Sequence, residues 1–225
     1  MILTGLLILS ILVPPSGPQA DRDVQAYAIS QQEKTLTIRA ETLAGNSTKL
    51  MEIPLEAVEA PGGAAIWNDR LIITLPKSAK LLICNLREKK LLSSQSLPDF
   101  PSPHGAAYDP QGRLWILSAN SLAEIQFTPD GHFNPIHHRG DFSDPRHLLI
   151  LPDGHFYIAE NGAPPVVKIL DPKLSLLETI PLQQPATGLQ ISPTGEIQCL
   201  FEKKPPLTLK RPPPPPRKAP APTGG

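Results

Sequence analysis

Seven polar residues between positions 104 and 202 are of types that can bind a ligand or a metal ion, and they recur at nearly constant spacing. One series stands at positions 104, 146 and 187, which are 42 and 41 residues apart, and a second stands at positions 120, 160–161 and 202. The first series is His104, Arg146 and Thr187, and the second is Asn120, Glu160, Asn161 and Glu202.

Two interpretations of these residues are open. His104, Glu160 and Glu202 together could hold a divalent ion, because imidazole and carboxylates are suitable ligands. Alternatively, the side chains cap strand ends and face water, or form ion pairs such as Arg146 with Glu160. His147 is glycine in two other repeats, and we interpret it as a hydrogen-bonded residue of an inner strand. We assign no catalytic residue, metal ligand or cofactor, and treat the seven as candidate binding residues.

The elements that must position these residues repeat with the same period. Short apolar segments begin at Gly63, Gly105, His147 and Gly188, so the steps are 42, 42 and 41 residues. In three repeats a turn with an early proline and a final glycine follows, where the backbone needs a fixed and then a permissive φ. A period of about 40 to 45 residues with four strands is typical of β-propellers, because one blade cannot bury both its faces. We predict an all-β fold: a small β-propeller of about four to five blades, with incomplete first and last blades.

A propeller would bring the two series together. The loop before each innermost strand and the loop between the second and third strands open on the same face, around the central channel. The first series precedes the innermost strands, and the second lies in the other loops. We therefore expect all seven residues at the rim of the channel, which is the predicted site for any small ligand.

Two stretches carry a resemblance to a known family. Residues 103–116 (PHGAAYDPQGRLWI) and 153–162 (DGHFYIAENG) resemble the strands and turns of NHL-repeat propellers and of the streptogramin (virginiamycin B) lyase group. The resemblance covers about residues 62–201 and implies the propeller fold. Lyases of this group hold a metal and a general base in late blades, and the shortened last repeat here offers no matching His and Glu pair.

The two ends of the chain differ from the repeats. Residues 1–20 contain an apolar run shorter than the roughly 20 residues of a membrane span, which predicts a signal peptide or a short membrane anchor. We assign residues 21–204 to the propeller. Residues 205–225 form a proline-rich tail, interpreted as an extended polyproline segment. Three roles are open for such a tail: a ligand for an SH3-type groove, a solvated spacer, or an extended segment that lies along the surface of a partner protein.

The composition and the short motifs of the chain argue against some classes of function. The chain has 21 Lys plus Arg and 21 Asp plus Glu, so no net charge attracts nucleic acid. Cys84 and Cys199 lie in apolar runs and are predicted to be buried free thiols. Local catalytic signatures such as GxSxG, HExxH and GxGxxG do not occur.

We therefore expect an exported, periplasmic or extracellular propeller, membrane-anchored if the N-terminal segment is retained. Its expected role is that of a non-catalytic protein-interaction or accessory subunit, whose partner is a protein in a membrane-associated or periplasmic assembly. The alternatives are a metal-dependent propeller lyase or lactone hydrolase, and a small-ligand binder at the channel mouth.

Overall fold

The chain folds into five small antiparallel sheets that form the blades of a β-propeller, which confirms the predicted fold class. The computed structural model describes residues 9–12, 24–42, 44–128, 133–192 and 194–211. Blade 1 is β1 (Leu9–Leu12), β2 (Val24–Gln32), β3 (Thr35–Thr42) and β4 (Ser47–Pro54). Blade 2 is β5 (Gly63–Trp67), β6 (Arg70–Leu75), β7 (Lys80–Asn85) and β8 (Lys90–Ser96).

The remaining blades follow the same order. Blade 3 is β9 (Gly105–Tyr108), β10 (Leu114–Leu117), β11 (Ser121–Phe127) and β12 (Phe133–Gly140). Blade 4 is β13 (Pro145–Ile150), β14 (Phe156–Glu160), β15 (Val166–Leu170) and β16 (Leu176–Pro181). Blade 5 has three strands, β17 (Gly188–Ile191), β18 (Ile197–Leu200) and β19 (Leu207–Leu209).

The turn between the first two strands of each repeat has the expected backbone. Gly112, Gly154 and Gly195 have φ angles of 78°, 85° and 81°, and Asn68 takes a similar place in blade 2 with a φ of 53°. Glycine and asparagine tolerate this left-handed region better than other residues do. Each turn therefore reverses the chain in a few residues and keeps the paired strands in register.

The core lies between consecutive blades. Four buried apolar clusters join blade 1 to 2, 2 to 3, 3 to 4 and 4 to 5. Within the described part of the chain, no such cluster joins blade 5 to blade 1. Cys84 and Cys199 are buried free thiols in two of these clusters, as predicted.

Burial patterns agree with this serial packing. In blade 2, residues 71–75 of β6 are all buried, because both faces of that blade pack against neighbours. In blade 1, β3 alternates instead: Leu36 and Ile38 are buried, whereas Arg39 is exposed. On blade 5, Gln190 and Gln198 pair through a hydrogen bond of 3.1 Å on the face away from blade 4. Blades 1 and 5 thus have one apolar and one polar face.

The two ends of the propeller extend beyond residues 21–204. Leu9–Leu12 pair with β2, with Leu9 opposite Ile29, and provide the innermost strand of blade 1. Residues assigned to a signal peptide or anchor therefore complete a four-stranded blade. β19 lies in the segment assigned to the tail and gives blade 5 its third strand. Among the described residues, no helix is long and apolar enough to cross a membrane.

Candidate functional site: a rim and a groove on opposite faces

The rim around the channel contains a contact between two predicted binding residues from neighbouring blades. His104 precedes β9, and Arg146 lies at the start of β13. Arg146 Nη1 donates to His104 Nε2 at 2.9 Å, and Ser102 Oγ lies 3.0 Å from the same nitrogen. Arg146 Nη2 also lies 2.7 Å from Asp144 Oδ1. The Arg146 guanidinium is therefore shared between a carboxylate and the imidazole.

The two rim histidines are held neutral. Burial, and then the charge of Arg146, lower the pKa of His104, and the nearby Asp144 carboxylate only partly opposes them. Burial lowers the pKa of His147 to about 4, with smaller effects from Arg146 and His104. The backbone of Ala186, in the loop before blade 5, partly opposes this lowering of the pKa, and His147 lies within the innermost strand β13.

Glu160, another of the predicted binding residues, forms an ion pair with Lys168. Its side chain is 3% exposed, and Oε1 lies 2.8 Å from Lys168 Nζ. Oε2 accepts a hydrogen bond of 3.1 Å from the backbone N–H of Ser143. The ion pair expected between Arg146 and Glu160 does not form, because each side chain pairs with a nearer partner.

The other predicted residues hold loops or face water. Asn161 makes two hydrogen bonds with the backbone of Ala186, with Nδ2 donating at 3.1 Å and Oδ1 accepting at 2.9 Å. Asn120, Thr187 and Glu202 are exposed. His104, Arg146, Glu160 and Asn161 therefore join loops of adjacent strands and blades, and no three His, Cys, Asp or Glu side chains of the described residues are grouped so as to hold a metal.

A groove of about 710 Å³ lies between blades 2 and 3 on the opposite face, among the turns that join first and second strands. We call it the blade 2–3 groove. The lining residues used below are Trp67, Asn68, Asp69, Arg70 and Leu92 of blade 2, and Tyr108, Gly112, Arg113, Phe127 and Ile136 of blade 3. Because it is bordered by all four strands of each blade, it extends from the channel towards the outer edge.

The aromatic side chains of the groove are packed in pairs. The ring centroids of Trp67 and Tyr108 are 5.9 Å apart and the planes are tilted by 34°. The Arg70 guanidinium lies 5.7 Å from the centroid of Phe127, within cation–π range. Burial raises the pKa of Tyr108 to about 12, and the charge of Arg70 opposes this only in part, so the phenol is neutral. Leu92 and Ile136 add exposed aliphatic surface, each being 46% exposed.

One wall of the groove is fixed by a buried polar network. Arg113 Nε donates to Asp109 Oδ2 at 2.6 Å, and Nη1 donates to Glu124 Oε2 at 3.1 Å. Asp109 Oδ2 also accepts a bond of 3.2 Å from the indole N–H of Trp115. Arg70 and Arg113 are both exposed cations of the groove, although Arg113 is paired with two buried carboxylates, so polar and apolar side chains share the lining.

The sequence contained a signal for this groove. Trp67 and Tyr108 are the last residues of the innermost strands β5 and β9. Gly112 lets the turn of blade 3 approach the indole, since a Cβ there would lie 2.7 Å from Trp67 Cε2. Aromatic residues that end the innermost strands of two adjacent blades are therefore the sequence signal for a surface between those blades.

Solved structures share this fold at low sequence identity. Hydrazine synthase of Kuenenia stuttgartiensis is 15% identical with a TM-score of 0.59, and the match covers 77% of this chain and 52% of that one. Virginiamycin B lyase of Staphylococcus aureus is 16% identical with a TM-score of 0.60, covering 94% and 71%. A nidogen/laminin complex contains a chain that is 15% identical with a TM-score of 0.59, covering 77% and 69%.

The chain spans between 52% and 71% of the lengths of these three structures. No protein-family model and no curated protein matches the sequence. The likeness is one of fold, shared by enzymes and by proteins of an interaction complex alike. The chain is a five-blade β-propeller, and virginiamycin B lyase is among the solved structures that it resembles.

Proposed function

We propose that this protein is a non-catalytic interaction subunit that binds an extended, proline-containing segment of a partner protein in the blade 2–3 groove. The observation that carries the proposal is the tilted pair of Trp67 and Tyr108 at the floor of an open groove. Aromatic-lined grooves are the usual sites for polyproline II segments, because proline rings pack on aromatic rings and the ligand loses little conformational freedom.

The groove supports this role better than the rim does. At the rim, Arg146, Glu160 and Asn161 already contact protein groups. In the groove, exposed apolar side chains such as Leu92 and Ile136 would gain from being covered, at about 25 cal/mol per Å² of apolar surface removed from water.

We propose further that the protein is exported and that its partner belongs to a membrane-associated or periplasmic assembly. The apolar run in residues 1–20 supports export. Because Leu9–Leu12 also form β1, export without cleavage keeps blade 1 at four strands. The intact mass of protein recovered from its native cells tests this point: 24.4 kDa is expected for the uncleaved chain, and a mass lacking residues 1–20 would reject retention.

Capture of the partner tests the binding proposal. The full chain is immobilised and exposed to solubilised native membranes, in parallel with Trp67→Ala and the rim variant Asn120→Ala. We expect Trp67→Ala to lose the captured protein by about tenfold or more, since central aromatic residues contribute about 2 kcal/mol or more to such interfaces. Asn120→Ala should capture as the unmodified protein does. Equal capture by Trp67→Ala would refute the groove, and loss with Asn120→Ala would place the interface at the rim.

A further inference from the structure

We propose that the blade 2–3 groove selects partner segments in which an Asp or Glu side chain lies within two residues of a proline, and that Arg70 binds this carboxylate. The inference rests on the proposed function, because it names a specificity-determining residue and a ligand chemistry for the same groove. It narrows the partner from any proline-containing segment to an acidic one.

Arg70 lies beside the aromatic pair of the groove. It begins β6 and stands directly opposite Trp67 across the hairpin of β5 and β6. Residues opposite each other in antiparallel strands have Cβ atoms about 5 Å apart and share one face of the sheet. The charge of Arg70 also acts on the Tyr108 phenol in blade 3, where it opposes the rise in pKa that burial causes. The guanidinium is therefore close to both rings that would contact proline.

The guanidinium of Arg70 is positioned by an aromatic ring and has unused donors. The side chain is exposed, and its Cζ lies over the Phe127 ring, 5.7 Å from the centroid. Packing of this kind uses the flat face of a guanidinium and leaves the N–H groups at its edge for a planar acceptor such as a carboxylate. Within the described part of the chain, the Arg70 side chain forms no ion pair and no hydrogen bond. A ligand carboxylate would satisfy these donors.

The other charged residues of the groove do not compete for Arg70. Arg113 donates to Asp109 and Glu124 at 2.6 and 3.1 Å, so both carboxylates are already paired, and both are buried. Asp69 is exposed and forms no ion pair with Arg70, its neighbour in the chain. Arg113 thus serves the wall of the groove, whereas Arg70 is left for a ligand.

The geometry limits where the carboxylate can stand in the bound segment. A polyproline II segment advances about 3.1 Å per residue. Since Trp67 and Arg70 are cross-strand neighbours, a proline ring on Trp67 and a carboxylate on Arg70 belong to residues one or two positions apart. Once the segment is bound, the exposed aliphatic side chains of Leu92 and Ile136 help to exclude water from the groove, which strengthens the attraction between the two charges.

Peptide titration of the full chain tests the proposal. The probes are acetylated and amidated heptapeptides of six prolines around a central Glu, Gln or Lys. They contain no tryptophan, and Trp115 is 2% exposed, so changes in tryptophan emission report mainly on Trp67. We expect the Glu peptide to bind at least about tenfold more tightly than the Lys peptide, because hydrogen bonds between charged groups contribute a factor of this size. The Gln peptide should fall between them.

Charge reversal assigns the preference to Arg70. Arg70→Glu should bind the Lys peptide most tightly, and Arg70→Gln should bind the Glu and Lys peptides equally. The matched control is Arg39→Glu, which changes the net charge by the same amount at an exposed position of blade 1 outside the groove, and it should keep the order of the unmodified protein. Equal affinity of the unmodified protein for all three peptides, or an unchanged order in both Arg70 variants, would overturn the inference. Failure of the Glu peptide to bind at millimolar concentration would also overturn it.

The two proposals can fail separately. If all three peptides bind equally and Trp67→Ala abolishes their binding, the groove binds proline segments and carboxylate recognition by Arg70 is rejected. If Arg70 sets the order of affinities while Trp67→Ala binds the Glu peptide as tightly as the unmodified protein does, the carboxylate site stands and the aromatic floor is rejected as the site for proline. If no peptide binds, the inference is rejected, and partner capture by Trp67→Ala alone decides the proposed function.

Discussion

The contact between Gly112 and Trp67 predicts that two chemically identical substitutions will have different effects. Gly112 and Gly195 occupy equivalent turns and have φ angles of 78° and 81°. Alanine at either position carries the strain of the left-handed conformation, about 1–2 kcal/mol. At Gly195 a new Cβ meets nothing within 4 Å, whereas at Gly112 it would lie 2.7 to 2.9 Å from three atoms of the Trp67 indole.

The indole must therefore move in the Gly112→Ala variant. Overpacking of this kind costs about 1–3 kcal/mol beyond the backbone strain. We expect the free energy of unfolding, from urea titrations followed by circular dichroism, to fall by about 1–2 kcal/mol for Gly195→Ala and by a further 1–3 kcal/mol or so for Gly112→Ala.

Fluorescence separates the two variants independently. Because Trp115 is buried, a change in emission or in acrylamide quenching reports on Trp67. Gly112→Ala should change both, and Gly195→Ala should change neither. Equal losses of stability together with unchanged emission would refute the packing of Trp67 on the turn, and with it the shape of the groove floor.

Three further predictions concern buried polar groups. Glu160→Ala should lower the free energy of unfolding by about 3–5 kcal/mol in urea titrations, because it leaves the Lys168 ammonium in a largely buried position without its carboxylate; if adding Lys168→Met restores nothing, that reasoning is wrong. Burial lowers the pKa of His147 to about 4, below the unfolded value of about 6.5, so its contribution to stability is complete above pH 6.5 and is lost as the pH falls towards 4. Between pH 7 and 4.5 the urea midpoint should fall more for the unmodified protein than for His147→Gln, and parallel curves would contradict this. Burial raises the pKa values of Cys84 and Cys199 to about 12 and 11, so a thiol reagent at pH 8 should label neither until the protein unfolds, and rapid labelling of the native protein would show that a thiol is accessible.

Repeat spacing was sufficient to predict the blades. The 41- and 42-residue steps marked the innermost strands β5, β9, β13 and β17 and the turns that follow them. This works because each blade needs the same alternation of apolar strand and tight turn, whatever its side chains bind. The polar faces of blades 1 and 5 are also visible in sequence, as alternation in residues 35–40 (TLTIRA) and 197–200 (IQCL).

Pairing at the ends of the chain was not predictable in the same way. The apolar residues of β1 match an export signal as well as they match a strand, because both need only a short hydrophobic run. β19 has three residues, Leu207–Leu209, between prolines and basic residues, and its assignment depends on Ile197 and Cys199 opposite it. Both β1 and β19 are therefore defined by their pairing with another strand, β2 or β18, and not by a pattern within their own residues.

The rim shows why candidate residues placed together by topology need not form a site. Sequence spacing predicted that His104 and Arg146 lie on one rim, and the contact between their side chains across two blades is seen only in the structure. Sequence spacing did not reveal the partners of the rim residues. Lys168 pairs with Glu160, Asp144 pairs with Arg146, and the backbone of Ala186 bonds to Asn161. The groove was not predicted, because Trp67 and Tyr108 resemble ordinary strand-end aromatic residues until adjacent blades are packed together.

Photo-cross-linking from two positions can locate the bound partner on the propeller. A benzophenone amino acid replaces Asn68, in the groove, or Asn120, at the exposed rim, in the full chain, and each variant is irradiated with native membranes. Binding in the groove predicts a cross-link to a second polypeptide from position 68 and none from position 120. Cross-linking from position 120 alone would show that the partner binds the rim and would contradict binding in the groove.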